Sequence, residues 1–198
     1  MRPRPVRRLL SLIAIASLIA IGTAMIPAAA TAAGNGNLTT AQRADLLGYA
    51  RNTWASFVAM TDEDSGLPAD SLSSDGTRSV QTSTTYIGAY LWSTVVAERL
   101  RIIGHAEAVR RTEQTIGTLE TMERHQASGQ FFNWYDHRDG AKLTVWPATG
   151  DPMTPILSSV DNGWLAAALQ VVRNTVPEVS ARAGAIYESM DFGFYYRP

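Results

Sequence analysis

The sequence predicts an all-α fold: an (α/α) barrel, or toroid, of alternating inner and outer helices, here an incomplete half with one small β-hairpin. Three observations point to it. Five helical stretches follow one another, and their apolar residues lie alternately on one side and all round. A helix apolar on every side is buried, and a one-sided helix covers it, so the chain steps between two concentric layers. Links from a buried helix outward are short (Gly104; Val176-Pro177), whereas the returning links are long, so the long loops gather where the buried helices begin.

The N-terminus comes first. Arg2, Arg4, Arg7 and Arg8 precede an apolar run from Leu9 to Ile26, and small residues follow from Ala28 to Ala33. Residues 1–33 therefore read as a signal peptide cleaved near Ala32 or Ala33, giving a secreted or extracytoplasmic protein. The apolar run approaches the ~20 residues of a membrane span, but Pro27 and the alanine-rich exit favour cleavage and no stable span thereafter.

Thr39 or Thr40 caps a first helix to about Met60, with Leu46, Leu47, Ala50, Trp54, Phe57 and Val58 as a stripe. A polar loop follows from Asp62 to Thr82, and loops of that length inside a domain are usually functional or disordered. The second helix starts at Ser83-Thr84 and runs to Ile103, apolar on nearly every side. Gly104 stops it, and a one-sided surface helix follows from His105 to Gln126. Phe131–Asp136 and Lys142–Trp146 flank Asp139-Gly140, a turn dipeptide that predicts a β-hairpin. The fourth helix, from Ser159 to about Thr175, is again apolar on most sides, and Pro177 opens a one-sided fifth to about Met190. Five helices do not close a ring, and the chain's last residues are an aromatic run from Met190 to Pro198. The expectation is a piece of a longer protein, with a self-contained bundle as the alternative.

Composition limits the function. A net charge of −1 does not advertise a nucleic-acid partner. With no cysteine there is no disulfide framework and no thiolate metal site. His105, His125 and His137 share no ligand spacing, so no metal site is expected, and no organic cofactor is implied. Asp62-x-Asp64-x-Gly66 with Asp70 hints at a calcium loop, but it lacks the further acids and terminal Glu and reads as a solvated loop at a cleft mouth.

The chemistry-bearing stretch is Gln130 to Leu169, where Phe131, Phe132, Asn133, Trp134, Tyr135 and Asp136 lead through a proline-containing loop into a helix opened by Ser158 to Asn162. Aromatic faces beside carboxylates and amides suit a sugar ring and its hydroxyls. Asp161 stands in the first turn of a predicted helix, where backbone N–H groups and the dipole favour a carboxylate, which suits a base or nucleophile. The bland reading is a capping box, Ser158-x-x-Asp161. Asp136 is either a partner acid, with Trp134 as a stacking platform, or an exposed strand-end residue beside core aromatics. Asn133 and Asn162 serve hydroxyl recognition or turns and caps equally well.

Three motifs carry a family resemblance: Thr82-Ser83-Thr84-Thr85-Tyr86-Ile87-Gly88-Ala89-Tyr90-Leu91, Phe132-Asn133-Trp134-Tyr135-Asp136, and Ser159-Val160-Asp161-Asn162-Gly163-Trp164-Leu165-Ala166. From Leu38 to Pro198 the chain resembles the N-terminal half of bacterial glucoamylase-like α/α-barrel proteins related to β-1,2-glucanases and to the processing domain of cyclic β-1,2-glucan synthases. The resemblance implies that residues 34–198 form a partial barrel domain of glycoside hydrolase type with a polysaccharide or oligosaccharide substrate. The candidate catalytic carboxylates are Asp161 and, as its partner, Asp136, and the candidate substrate contacts are Asn133, Trp134, Tyr135, Asn162, Trp164, Thr84 and Tyr86. Hydrolysis of this kind uses two carboxyl groups whose separation decides the stereochemical outcome. The second acid can also lie outside this half. The alternative is a non-catalytic secreted module that binds glycan or cell envelope, and a purely structural fragment follows if the ribbon aromatics are core.

Overall fold

The computed structural model describes residues 38–196, so the signal-peptide expectation for residues 1–33 lies outside the described residues. Leu38–Ala41 fall in a separate N-terminal unit, and one compact unit runs from Gln42 onward. The elements are α1 (Thr40–Met60), β1 (Gln81–Thr82), α2 (Thr84–Arg99), α3 (His105–Thr121), β2 (Tyr135–Asp136), α4 (Ser159–Thr175) and α5 (Ser180–Glu188), with 3-10 turns at Pro177–Val179 and Phe192–Tyr195. None of the described helices is long and apolar enough to cross a membrane.

The inner layer is α2 beside α4. Gly88 makes the pairing close, because a Cβ there would stand 3.0 Å from the Trp164 carbonyl oxygen and 3.1 Å from Leu165 Cα. Contacts that advance together along both helices, Thr85 with Asp161 and then Gly88 with Leu165, show that the two run in the same direction. Their shared core holds Ile87, Leu91, Leu165 and Leu169, into which α3 inserts Ile116 and Leu119 and α5 inserts Ala183 and Ile186. Each such leucine or isoleucine contributes about 1.5–3 kcal/mol by leaving water. Trp54 ties α1 on by stacking against Tyr90 at 6.0 Å, while Leu46 and Tyr49 on the same helix stay exposed. The alternation of inner and outer helices is therefore present, as the apolar pattern predicts.

The inner helices are not buried all round, and this corrects the sequence expectation. Trp92 and Val96 on α2 and Leu100 just after it are each about 40% exposed, and Val160 and Trp164 on α4 more than half. Thr85, Trp92 and Val96 recur at i, i+7 and i+11, and Asp161 and Trp164 at i and i+3, so each set lies along one helix face. The opposite faces are the ones that α3 and α5 cover, which leaves this side open.

Three boundaries also move. Helix α2 ends at Arg99 because Arg101 turns left-handed (φ 56°) and the Ile102 and Ile103 amides fold back to the Ala97 carbonyl. Helix α3 ends at Thr121 and gives way to a turn closed by His125 and Gly129, and the fifth helix opens with a 3-10 turn before Ser180. The Asp139-Gly140 turn forms, with Gly140 at φ 74°, but the predicted hairpin shrinks to a single bridge between Tyr135 and Lys142. The ladder proper joins β2 to β1, antiparallel, with Gln81 opposite Asp136 and Thr82 opposite Tyr135.

That ladder stitches the long loops together. His137 donates its backbone N–H to the Val80 carbonyl at 2.9 Å, and Ser65 donates its hydroxyl to the His137 carbonyl. Asn133 donates its backbone N–H to Ile156 on the segment entering α4. The loops thus meet where α2 and α4 begin.

Candidate active site at the start of the paired helices

Ser158 begins α4 in an extended conformation, and its hydroxyl accepts from the Asp161 backbone N–H at 3.2 Å. That is the cap half of the capping-box pattern. The Asp161 carboxylate itself reaches sideways: Thr85, in the first turn of α2, donates to its Oδ1 at 2.5 Å. Hydrogen-bonding complementarity assigns the Asn133 amide: with its nitrogen toward Asp161 it donates to Oδ2 at 2.6 Å, and its oxygen accepts from Trp134 Nε1 at 2.6 Å. Trp134 rests edge-on against Trp146 at 5.6 Å, so the indole that sets the amide is itself held. Both carboxylate oxygens of a half-buried acid thus receive a donor from a different element of the fold.

Tyr86 follows Thr85 on α2, also half-buried. The Asp70 carboxylate that faces its hydroxyl, with burial and the charge of Asp161, pushes the phenol up to about 12. Asp70 is anchored on the long loop by the Gln81 amide nitrogen (3.1 Å) and by its own N–H to the Gln81 carbonyl (2.8 Å). Tyr195 also feels Asp161: burial raises its phenol, a bond from Asn162 opposes this, and the Asp161 charge adds to the rise. Farther along the open face, the rings of Trp92 and Trp164 lie 6.4 Å apart and both are exposed. At about 1.5 Å rise per residue they stand roughly 5–10 Å along the helices from the Thr85–Asp161 bond.

The structure therefore brings together Asp161, Asn133, Trp134 and Tyr86, with Trp164 on the same open face. It sets four other sequence candidates apart. The Asp136 carboxylate takes the Arg138 guanidinium in a two-pronged ion pair, Nη2 to Oδ2 at 2.5 Å and Nε to Oδ1 at 2.9 Å, and also the Arg138 backbone N–H. Burial alone would raise its pKa, but those bonds outweigh it and hold the acid below the usual 3.8. Tyr135 is fully buried, its hydroxyl donating to the Glu123 carbonyl and accepting from Phe132 N–H, so it is core and not a sugar platform. Asn162 is fully buried too, its amide clamped to both backbone groups of Phe131 at 2.9 Å. Thr84 is buried, with a hydroxyl that no protein group hydrogen-bonds.

Sequence reasoning missed Thr85, Trp92 and Asp70 as site residues. Thr85 lay inside a motif already singled out, and Asp70 was read as part of a calcium-like loop. Asp62 in that loop accepts from the Asp64 and Ser65 backbone N–H groups, which makes it a turn residue. Among the described residues no group of three or more His, Cys, Asp or Glu is placed to hold a metal.

Over 133 residues, or 65% of this chain, the sequence is 37% identical to the cyclic β-(1,2)-glucan synthase NdvB of Rhizobium meliloti (strain 1021), of which it spans 4%. The fold matches the endo-β-1,2-glucanase of Chitinophaga pinensis, solved with sophorotriose and glucose, with a TM-score of 0.64 and 15% identity over 80% of this chain. It matches a putative glucoamylase of Bacteroides caccae ATCC 43185 with a TM-score of 0.63 and 17% identity over 76% of this chain. In both cases it spans 38% of the solved chain. The glucoamylase-like fold read from the three motifs is thus present in part, and the chain is related to β-1,2-glucan-active enzymes. A family model matches residues 48–193, most of the chain, and the protein belongs to that family, described as protein of unknown function (DUF3131).

Proposed function

We propose that this chain is the glycan-binding half of a secreted glycoside hydrolase-type protein, with a β-glucan or related oligosaccharide as substrate. Asp161 is the acid–base or substrate-orienting carboxylate. The observation that supports this is the Asp161 carboxylate held by Thr85 and Asn133 at the common start of two parallel inner helices. A carboxylate fixed in this way keeps its remaining lone pairs toward the open face, where it can take a sugar hydroxyl proton or orient that hydroxyl. Exposed Trp164 and Trp92 offer apolar ring faces on the same side.

A second reading is favoured by one observation. Asp136, the partner acid expected from the sequence, is held by Arg138, so the chain can bind glycan as a non-catalytic module. One experiment separates the readings. The purified full chain is incubated with linear β-1,2-glucan, and both new reducing ends and binding are measured, beside Asp161→Asn. Reducing ends from the parent and none from the variant support hydrolysis. Binding by the parent without product supports the module. No binding and no product from the parent defeats both.

A further inference from the structure

We infer that the cleft beside His125 is a second sugar subsite, taking a neutral pyranose ring of the same glycan chain that reaches Asp161. The inference rests on the glycan reading above and gives that site its length. The cleft holds about 520 Å³, and Glu123, Arg124, His125, Gln126 and Phe132 stand in its wall. Small-molecule sites occupy about 300–1,000 Å³, so one or two sugar rings fit. Two routes join it to Asp161. Phe132 is followed directly by Asn133, whose amide donates to Asp161, and consecutive Cα atoms stand about 3.8 Å apart. The His125 ring also lies 5.0 Å from that of Phe194, and the next residue, Tyr195, accepts from the amide of Asn162, the neighbour of Asp161, at 3.4 Å.

His125 is a fixed hydrogen-bonding group in that cleft. Its backbone N–H donates to the Gln130 carbonyl at 2.9 Å, its carbonyl accepts from Gly129 at 2.8 Å, and Nδ1 bonds the Ser128 hydroxyl at 2.9 Å. Phe132 meets the ring edge-on at 6.4 Å. Nε2 is left without a protein partner among the described residues. According to which way the Ser128 hydroxyl turns, Nε2 either donates or accepts, and a sugar hydroxyl does both. The charges around it are matched. Arg124 gives Nη1 to the Ser189 hydroxyl at 2.6 Å, and Glu123 pairs with Lys142, whose Nζ also stands 4.4 Å over the Phe132 ring. Donors, an acceptor and an aromatic ring together suit a neutral polyhydroxyl ring, and side chains already held in place lose little freedom on binding.

The test uses the full chain, His125→Ala and Phe194→Ala, with calorimetric binding of sophorotriose and of the linear β-1,2-linked glucohexaose. The hexasaccharide alone is long enough to fill both subsites, so the parent is expected to bind it about tenfold more tightly than the trisaccharide. Each variant should cut that ratio to about threefold or less and leave sophorotriose affinity within about twofold. A variant that merely loosens the turn weakens both sugars alike, so the ratio is the readout. Phe194 is 42% exposed, and its removal keeps the test open should His125→Ala unfold the turn. An unchanged ratio in both variants, an equal loss for both lengths, or a parent that binds the two sugars equally overturns the subsite while the glycan reading stands. A parent that binds neither sugar overturns both.

Discussion

The indole N–H of Trp134 bonds the Asn133 side-chain oxygen at 2.6 Å, and so decides which end of that amide faces Asp161. An amide left to itself presents either oxygen or nitrogen, and an oxygen turned toward a carboxylate would repel it. The tryptophan is thus a positioning residue one step behind the acid.

Trp134→Phe keeps most of the ring against Trp146 and removes only the donor. Glycan binding is expected to fall several-fold, since a hydrogen bond between neutral groups contributes roughly 0.5–1.5 kcal/mol. Thermal stability should drop by less than about 1 kcal/mol, because the ring itself is not removed. Calorimetry and a melting curve on the same preparation check both. Equal binding by parent and variant would remove Trp134 from the site.

Gly88→Ala tests how closely the inner helices must lie. Alanine is the better helix former by about 1 kcal/mol, so an open position would gain. Here the new methyl would meet backbone at 3.0 and 3.1 Å, atoms that cannot rotate aside. Overpacking of this kind costs about 1–3 kcal/mol, and α2 and α4 must separate to admit it. The expected net is a loss of about 1–2 kcal/mol, a melting point lower by roughly 2–8 °C, and weaker glycan binding as Thr85 draws back from Asp161.

How much of this the sequence discloses differs by element. The helices and their layering are legible, since Ser158 and the apolar periods mark them directly. The open stripe on α2 is not, because Trp92 and Val96 are as apolar as Ile87 and Leu91, and hydropathy does not tell a hollow from a core. The Asp139-Gly140 turn is legible from its dipeptide, but its ladder partner is Gln81–Thr82, a two-residue strand with no periodicity to find. Asp161 and Asn133 stand within motifs. For Tyr135 the sequence leaves platform and core open, because an aromatic beside an acid looks alike in both, and its burial is set by tertiary placement. The Asp136–Arg138 pair was within reach: two residues apart in a turn, an acid and an arginine close on each other.

Gly129→Ala should be the most damaging single methyl. Gly129 is left-handed at φ 65°, and a Cβ would fall 1.9 Å from the Ser189 carbonyl oxygen, an overlap that only backbone movement relieves. The Asp191 N–H bond to the Ser128 carbonyl would go with it, freeing the segment after α5 from the loop after α3. A loss on the order of 3 kcal/mol is expected, from left-handed strain and displacement together. Chemical denaturation would show it, and a loss under about 1 kcal/mol would mean that the two segments are not so tightly apposed.

Asp136→Asn separates stability from chemistry. The Arg138 bonds outweigh burial and hold the Asp136 carboxyl below its usual 3.8, so the folded state binds this proton less readily than the unfolded chain. A depressed carboxyl contributes stability that is complete above the unfolded value and is lost as pH falls through the folded one. The parent should therefore melt progressively lower as pH drops below about 4. The variant loses an ion pair whose arginine is exposed, so it should be only modestly less stable at pH 7, with the gap closing toward pH 3. Glycan binding at pH 7 should stay within about twofold, since the carboxylate is engaged by Arg138. Melting curves at half-unit steps from pH 3 to 7 read the first effect and calorimetry the second. A gap that widens on acidification would show that the ion pair is not what holds this turn, and a binding loss comparable to that of Asp161→Asn would return Asp136 to the site.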